Sequence, residues 1–234
     1  MTTPETIAYA DGATALTGYL ARPTGTPLGA VIVFPTIMNQ APNATRRLPM
    51  LAEAGYLAFL ADLYGRKPAT RADAHALGTA LRADVTAYRA RIKAAIDTLA
   101  ALPEAQGLPL AAIGYCLGGQ AVLEAARMNL PLALVASLHG LLTTTAPATD
   151  PIRPRILVCH GDADPLVPRE QISAFQAEMD AAGADWHLHV YSGVKHGFTD
   201  PEADTHRLPA LGYNASADRQ SWAAMLGLLG EVAA

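Results

Sequence analysis

The chain has 234 residues, 51% of them hydrophobic, and a formal net charge of −4. That length and apolar content supply one full core, so the expectation is a single α/β domain over residues 1–234. No basic run is present to hold nucleic acid or an anionic membrane, and no apolar stretch approaches the roughly 20 residues of a membrane span.

The opening "MTTPETIAYADG" lacks the basic-then-apolar order of a signal peptide. It leads into a hairpin, "TIAYA" and "ALTGYLAR" flanking Asp11–Gly12, a dipeptide that supplies positive φ at a tight turn. "GAVIVFP" (29–35) is a short apolar run of the buried-strand kind. A helical stretch over 44–54 carries Pro49 inside it and ends at Gly55, a good C-cap. "YLAFLADL" (56–63) is the next strand, and 72–101 has helical composition, as one long or broken helix. "LPLAAIGY" (108–115) is a strand and 117–128 a helix. "PLALVASLHG" and "PRILVCHG" are strands, 169–182 is helical, "ADWHLHVYSG" is a strand, and 215–233 is a closing amphipathic helix. Strands alternating with helices imply a mostly parallel sheet covered on both faces, with the antiparallel hairpin at its start. Ligands in such sheets bind at the carboxyl ends of the strands.

Cys116 sits at such an end. Gly114-Tyr115-Cys116-Leu117-Gly118 matches the G-x-nucleophile-x-G elbow, with cysteine in place of serine. The glycines leave room for a strained strand–helix junction. The N-terminus of the following helix favours thiolate over thiol. A small buried cysteine in a glycine-rich packing turn would look the same in isolation. Two further loops decide for chemistry. "HGDADPLVP" (160–168) follows one strand and offers Asp162 and Asp164, and "YSGVKHGFTDP" follows the next and offers His196. Nucleophile, acid, histidine is the α/β-hydrolase order. The histidine takes the thiol proton and a carboxylate orients the imidazole.

With these residues in view, the sequence resembles the dienelactone hydrolases, α/β-hydrolase enzymes that open lactones and esters with a Cys-His-Asp triad. "ADLYGR", "GYCLGG", "HGDADPLVP", "HGFTDP" and "YNASADRQSW" fit the family pattern along nearly the whole chain. The resemblance implies Asp164, in Gly161-x-x-Asp164-x-x-Val167-Pro168, as the triad acid. It leaves Asp162 as a turn residue. It also implies an oxyanion hole made of the backbone N–H groups of Leu117 and Ile37, and a thioester acyl-enzyme on Cys116. No metal or organic cofactor is implied, and the partner is a small ester or lactone. Two positions depart from the family. Thr36 stands where many members carry a glutamate that holds the thiol, and Asp200 stands where the type enzyme has a carboxylate-binding arginine. The second departure makes the acidic dienelactone itself an unexpected substrate.

Weaker candidates for the substrate pocket are Thr36, Tyr64, Arg71, Arg82, His139 and Phe198. His187 and His189 alternate along one strand and lack a third ligand, so a solvated strand face is expected there and not a metal site. Cys159, within "ILVCH", is expected buried and inert. Both thiols are read as reduced and the chain as cytoplasmic. A rival reading is a degraded family member that binds a small molecule or senses oxidants through Cys116.

Overall fold

The computed structural model describes residues 4–233. Among these residues, strands β1 (Glu5–Asp11), β2 (Thr14–Ala21), β3 (Ala30–Phe34), β4 (Leu57–Leu60), β5 (Leu110–Tyr115), β6 (Leu134–Leu138), β7 (Arg155–Gly161) and β8 (Trp186–Tyr191) form an eight-stranded sheet. Its spatial order is β1-β2-β4-β3-β5-β6-β7-β8. The β1–β2 and β2–β4 pairs are antiparallel, and every pair from β4 to β8 is parallel. This is the α/β-hydrolase fold that the alternation of strands and helices implies.

The strand sequences explain their places. "AVIVF" of β3 and "LVASL" of β6 are buried at every residue, as central parallel strands covered on both faces must be. Side chains alternate between faces. Ile32 and Phe34 enter one apolar layer with Tyr88, Ile92 and Leu99, while Val31 and Val33 enter the other with Leu48, Met225 and Leu229. The first layer lies under α4 (Val85–Ala100), α5 (Leu117–Arg127) and α6 (Arg169–Ala181). The second lies under α2 (Arg47–Glu53) and α7 (Ala215–Ala233).

Three boundaries differ from the sequence expectation. The helical region after β4 is two helices, α3 (Arg71–Ala83) and α4. The break is Asp84, which is extended (φ −112°, ψ 93°) and caps α4 by accepting the Ala87 N–H at 3.0 Å. The stretch before β4 is also divided, into α1 (Pro42–Thr45) and α2, and Pro49 falls in the first turn of α2, where a missing N–H loses no helical bond. The hairpin turn is Gly12–Ala13, since Asp11 pairs with Thr14. Gly12 provides the positive φ of 54°.

Candidate active site

Cys116 is the single residue between β5 and α5. Its backbone is strained, at φ 55° and ψ −111°. Hydrogen bonds on both sides hold it there. Its N–H donates to the Leu138 carbonyl at 3.1 Å, and its own carbonyl accepts the Gln120 N–H at 3.2 Å. The flanking glycines are steric requirements: a Cβ at Gly114 would overlap the Gly118 carbonyl, and one at Gly118 would overlap that of Phe34. Tyr88 braces α5 from α4 by donating to the Leu117 carbonyl at 2.7 Å. The thiol is half-buried.

The loop after β7 and the loop after β8 bring in the acid and the base. His196 Nδ1 and Asp164 Oδ2 are 2.7 Å apart, and both residues are buried. Asp164 Oδ1 also accepts the Leu166 N–H at 2.9 Å. The His196 backbone is pinned by its N–H to Ala210 and by the Gly212 N–H to its carbonyl. Its Nε2 has no hydrogen-bond partner of good geometry among the described residues and is open to the thiol. Asp162 is elsewhere, in a two-pronged surface pair with Arg169 at 2.9 and 3.0 Å.

Thiol and imidazole change one another. Burial alone pushes the Cys116 pKa up, but the His196 charge and the N–H groups of Leu117 and Ile37 outweigh it, and the pKa falls below the ordinary value. Burial alone would lower His196. The Cys116 thiolate charge and the Asp164 hydrogen bond raise it instead, to about 10. These opposite shifts favour a thiolate–imidazolium pair. The Leu117 and Ile37 N–H groups that face the sulfur also suit an oxyanion forming on an atom bonded to it. The loop carrying Ile37 is tightened by Thr36, whose hydroxyl accepts the Met38 N–H at 3.2 Å and whose carbonyl accepts the Asn39 N–H at 2.9 Å.

The dienelactone hydrolase family model matches residues 16–233. The chain belongs to the dienelactone hydrolase family. As such it is a hydrolase of carboxylic esters or lactones. A solved dienelactone hydrolase-like promiscuous phosphotriesterase from metagenomic libraries is 35% identical, with a TM-score of 0.93 and 98% of each chain covered. A probable 2-oxo-3-(5-oxofuran-2-ylidene)propanoate lactonase from Bradyrhizobium sp is 27% identical over 202 residues, 81% of each chain. An uncharacterised Caenorhabditis elegans protein is 35% identical over 144 residues, covering 60% of this chain and 91% of that one.

The remaining candidates of this family member divide. Tyr64, in the loop after β4, lies close enough to Cys116 and Arg82 to feel both charges. Arg82 donates through Nε to the Gly78 carbonyl at 3.2 Å and has no carboxylate partner among the described residues. Arg71 opens α3 and makes no hydrogen bond to a site residue among those described. His139 follows β6 at a positive φ of 42°, is buried, and meets His196 edge-to-face with ring centroids 5.1 Å apart. Burial and the neighbouring His196 charge hold it well below the usual histidine pKa, so it stays neutral. Phe198 requires a correction. It exposes no surface and packs behind the site against His139 and Tyr191, because the loop turns inward there to plug the core. Asp200 is occupied in its own turn, accepting from Asn43 Nδ2 at 3.2 Å and from the Glu202 N–H at 3.0 Å. Cys159 is fully buried and pushed up to about 12. Among the described residues no cluster of three His, Cys, Asp or Glu could hold a metal, and no helix is long and apolar enough to cross a membrane.

Sequence reading missed the charged support behind the site. Arg47 is 1% exposed, and its guanidinium lies between the rings of Tyr115 and Trp222, 5.1 Å from each centroid. It donates to Asp218 Oδ1 at 2.6 Å, and Arg46 donates to Oδ2 at 3.0 Å. Both arginines reach the Thr199 carbonyl, and the Thr199 hydroxyl pairs with His139 Nε2 at 2.9 Å. The available signal was "RRLP" with its two cations entering an apolar helix, matched by Asp218 and Trp222 in "SADRQSW".

Proposed function

We propose that this family member cleaves carboxylic esters or lactones through a thioester on Cys116. The observation that carries the reading is the 2.7 Å Asp164–His196 bond beside a thiol whose pKa is lowered by that same histidine. Cys116 Sγ, as thiolate, attacks the carbonyl carbon, and the carbonyl electron pair moves onto oxygen. The Ile37 and Leu117 N–H groups stabilise that oxyanion. On collapse the C–O bond to the leaving group breaks, and the proton held on His196 Nε2 passes to the departing alkoxide. Neutral His196 then takes a proton from water, hydroxide attacks the thioester, and the acid leaves as Cys116 returns to thiolate. Asp164 keeps Nδ1–H in place throughout and stabilises the imidazolium. Residues 1–234 act as one catalytic domain, and the reduced thiol suits the cytoplasm.

Thr36 offers no carboxylate to hold the thiol away from His196, so activation needs no substrate-driven release. With Asp200 at the position where the type enzyme has an arginine, the preferred substrates are neutral esters or lactones and not the acidic dienelactone. The test is a panel of short-chain chromogenic esters, lactones and one phosphotriester under reducing conditions, with mass spectrometry of the quenched enzyme. Turnover abolished by Cys116→Ala, with an acyl mass on the Cys116 peptide of the wild type, supports the reading. A folded protein that turns over none of the panel refutes it and leaves the thiol-sensor alternative.

A further inference from the structure

The Tyr64 hydroxyl is buried beside the nucleophile and has no hydrogen-bond partner among the described residues. An unpaired buried hydroxyl destabilises the fold, so a tyrosine there without a protein partner needs a reason. A phenylalanine would fill the same apolar space without that cost.

Its neighbours locate it. A Cβ built on Gly78 of α3 would lie 3.1 Å from Ile37 Cγ2, 3.3 Å from the Tyr64 hydroxyl oxygen and 3.6 Å from Leu117 Cδ2. The hydroxyl therefore stands with the side chains of the two residues whose N–H groups face Cys116. Among the charges it feels are those of Cys116 and Arg82. With the side chains of Ile37 and Leu117 as its neighbours, it lies on the oxyanion side of the sulfur. Burial and the thiolate charge push its own ionisation up, so it stays a protonated donor at neutral pH.

We propose that Tyr64 is a catalytic residue whose hydroxyl donates a third hydrogen bond to the substrate carbonyl oxygen as it becomes an oxyanion. The bond is made to bound substrate and strengthens as negative charge develops on that oxygen. Tyr64 keeps its proton throughout, so the covalent steps given above are unchanged. The inference rests on the acyl-enzyme reading.

The test uses a trifluoromethyl ketone, which adds to a thiolate to give a tetrahedral oxyanion without a leaving group. In wild type, 19F NMR should show a Cys116-dependent adduct. Tyr64→Phe should weaken the ketone by roughly tenfold to a hundredfold and lower kcat by the same factor, the range of a lost oxyanion donor or somewhat below it. KM and the melting temperature should barely change. The loss should be equal for aryl and alkyl leaving groups, which a leaving-group role would not give. Ketone affinity and kcat within twofold of wild type in folded Tyr64→Phe would overturn the inference and leave the acyl-enzyme reading intact. No wild-type adduct at all would overturn both. Should Tyr64→Phe not fold, Gly78→Ala carries the test, since its methyl presses on the hydroxyl as well as on Ile37 Cγ2 while alanine favours the helix. Unchanged ketone affinity in that variant would then overturn the inference.

Discussion

Iodoacetamide alkylation of the resting enzyme should report the Cys116–His196 pair directly. An ordinary thiol with a pKa near 8.5 is about 0.3% thiolate at pH 6 and about 24% at pH 8, so its rate climbs roughly 75-fold across that interval. In the pair, Cys116 is lowered and His196 is raised to about 10. The sign follows from those directions. Thiolate is lost only as pH falls through the lowered Cys116 value, and the imidazolium partner persists until pH rises towards 10. The rate at Cys116 should therefore climb less steeply between pH 6 and 8 than the free thiol's. Thiolate fraction alone allows at most a ~300-fold advantage over free cysteine at pH 6. The lower nucleophilicity of a less basic sulfur removes part of it, with a Brønsted coefficient of about 0.4–0.5, so the net advantage is smaller than that ceiling. Cys159 is the internal control: buried and pushed up to about 12, it should remain unlabelled while the protein is folded. His196→Ala should restore the steep slope, and Thr36→Glu should slow labelling. A wild-type rate at Cys116 that climbs about tenfold per pH unit, as for free cysteine, would refute the ion-pair argument.

Asp164→Asn should lower kcat by about 10⁴ with the fold intact, since it removes the acceptor that fixes the His196 tautomer; Asp162→Asn, which loosens only a surface pair with Arg169, should stay within twofold of wild type. Arg47→Met should cost about 3 kcal/mol, or roughly 6–12 °C in melting temperature, by leaving the buried Asp218 carboxylate with Arg46 as its one remaining cation among the described residues. The Arg47→Met/Asp218→Asn double variant should lose less than the sum of the singles, and strict additivity in thermal melts would count against the pairing. A matched neutral and anionic ester pair at low salt should show higher kcat/KM for the neutral member, with the gap narrowing in Asp200→Arg. A preference for the anion that disappears in Arg82→Ala would show the unpaired guanidinium of α3 to be the stronger field.

The strands were legible because central parallel strands are buried on both faces, so "AVIVF" and "LVASL" carry almost nothing but apolar side chains. The break at Asp84 was not, since the residues on either side of it share the same helical composition and only the cap to Ala87 separates two axes. Cys116, Asp164 and His196 were chosen by chemistry and by position after a strand, and the fold brings them together. Phe198 was misplaced for the same reason: sequence adjacency to His196 says nothing about which way a loop turns its next side chain. Arg46, Arg47 and Asp218 escaped notice because a cation in a short helix ordinarily faces water. The two arginines lie 172 and 171 positions before Asp218, and no local pattern links residues at that separation.

The guanidinium wedged between Tyr115 and Trp222 has a consequence for synthesis. A nascent chain leaves the ribosome from its N-terminal end at about 5–20 residues per second. Cys116 therefore emerges well before His196, which lowers its pKa, and before Asp218 and Trp222, which close over Arg47. Until then Arg47 lacks the carboxylate and the indole that flank it in the fold, and the thiol lacks His196. The same strand order that gathers the site from loops after β3, β4, β5, β7 and β8 makes its reactivity one of the last properties the polypeptide acquires. An unfinished chain keeps an ordinary, largely protonated cysteine, and the reactive sulfur appears only inside a body already folded around it.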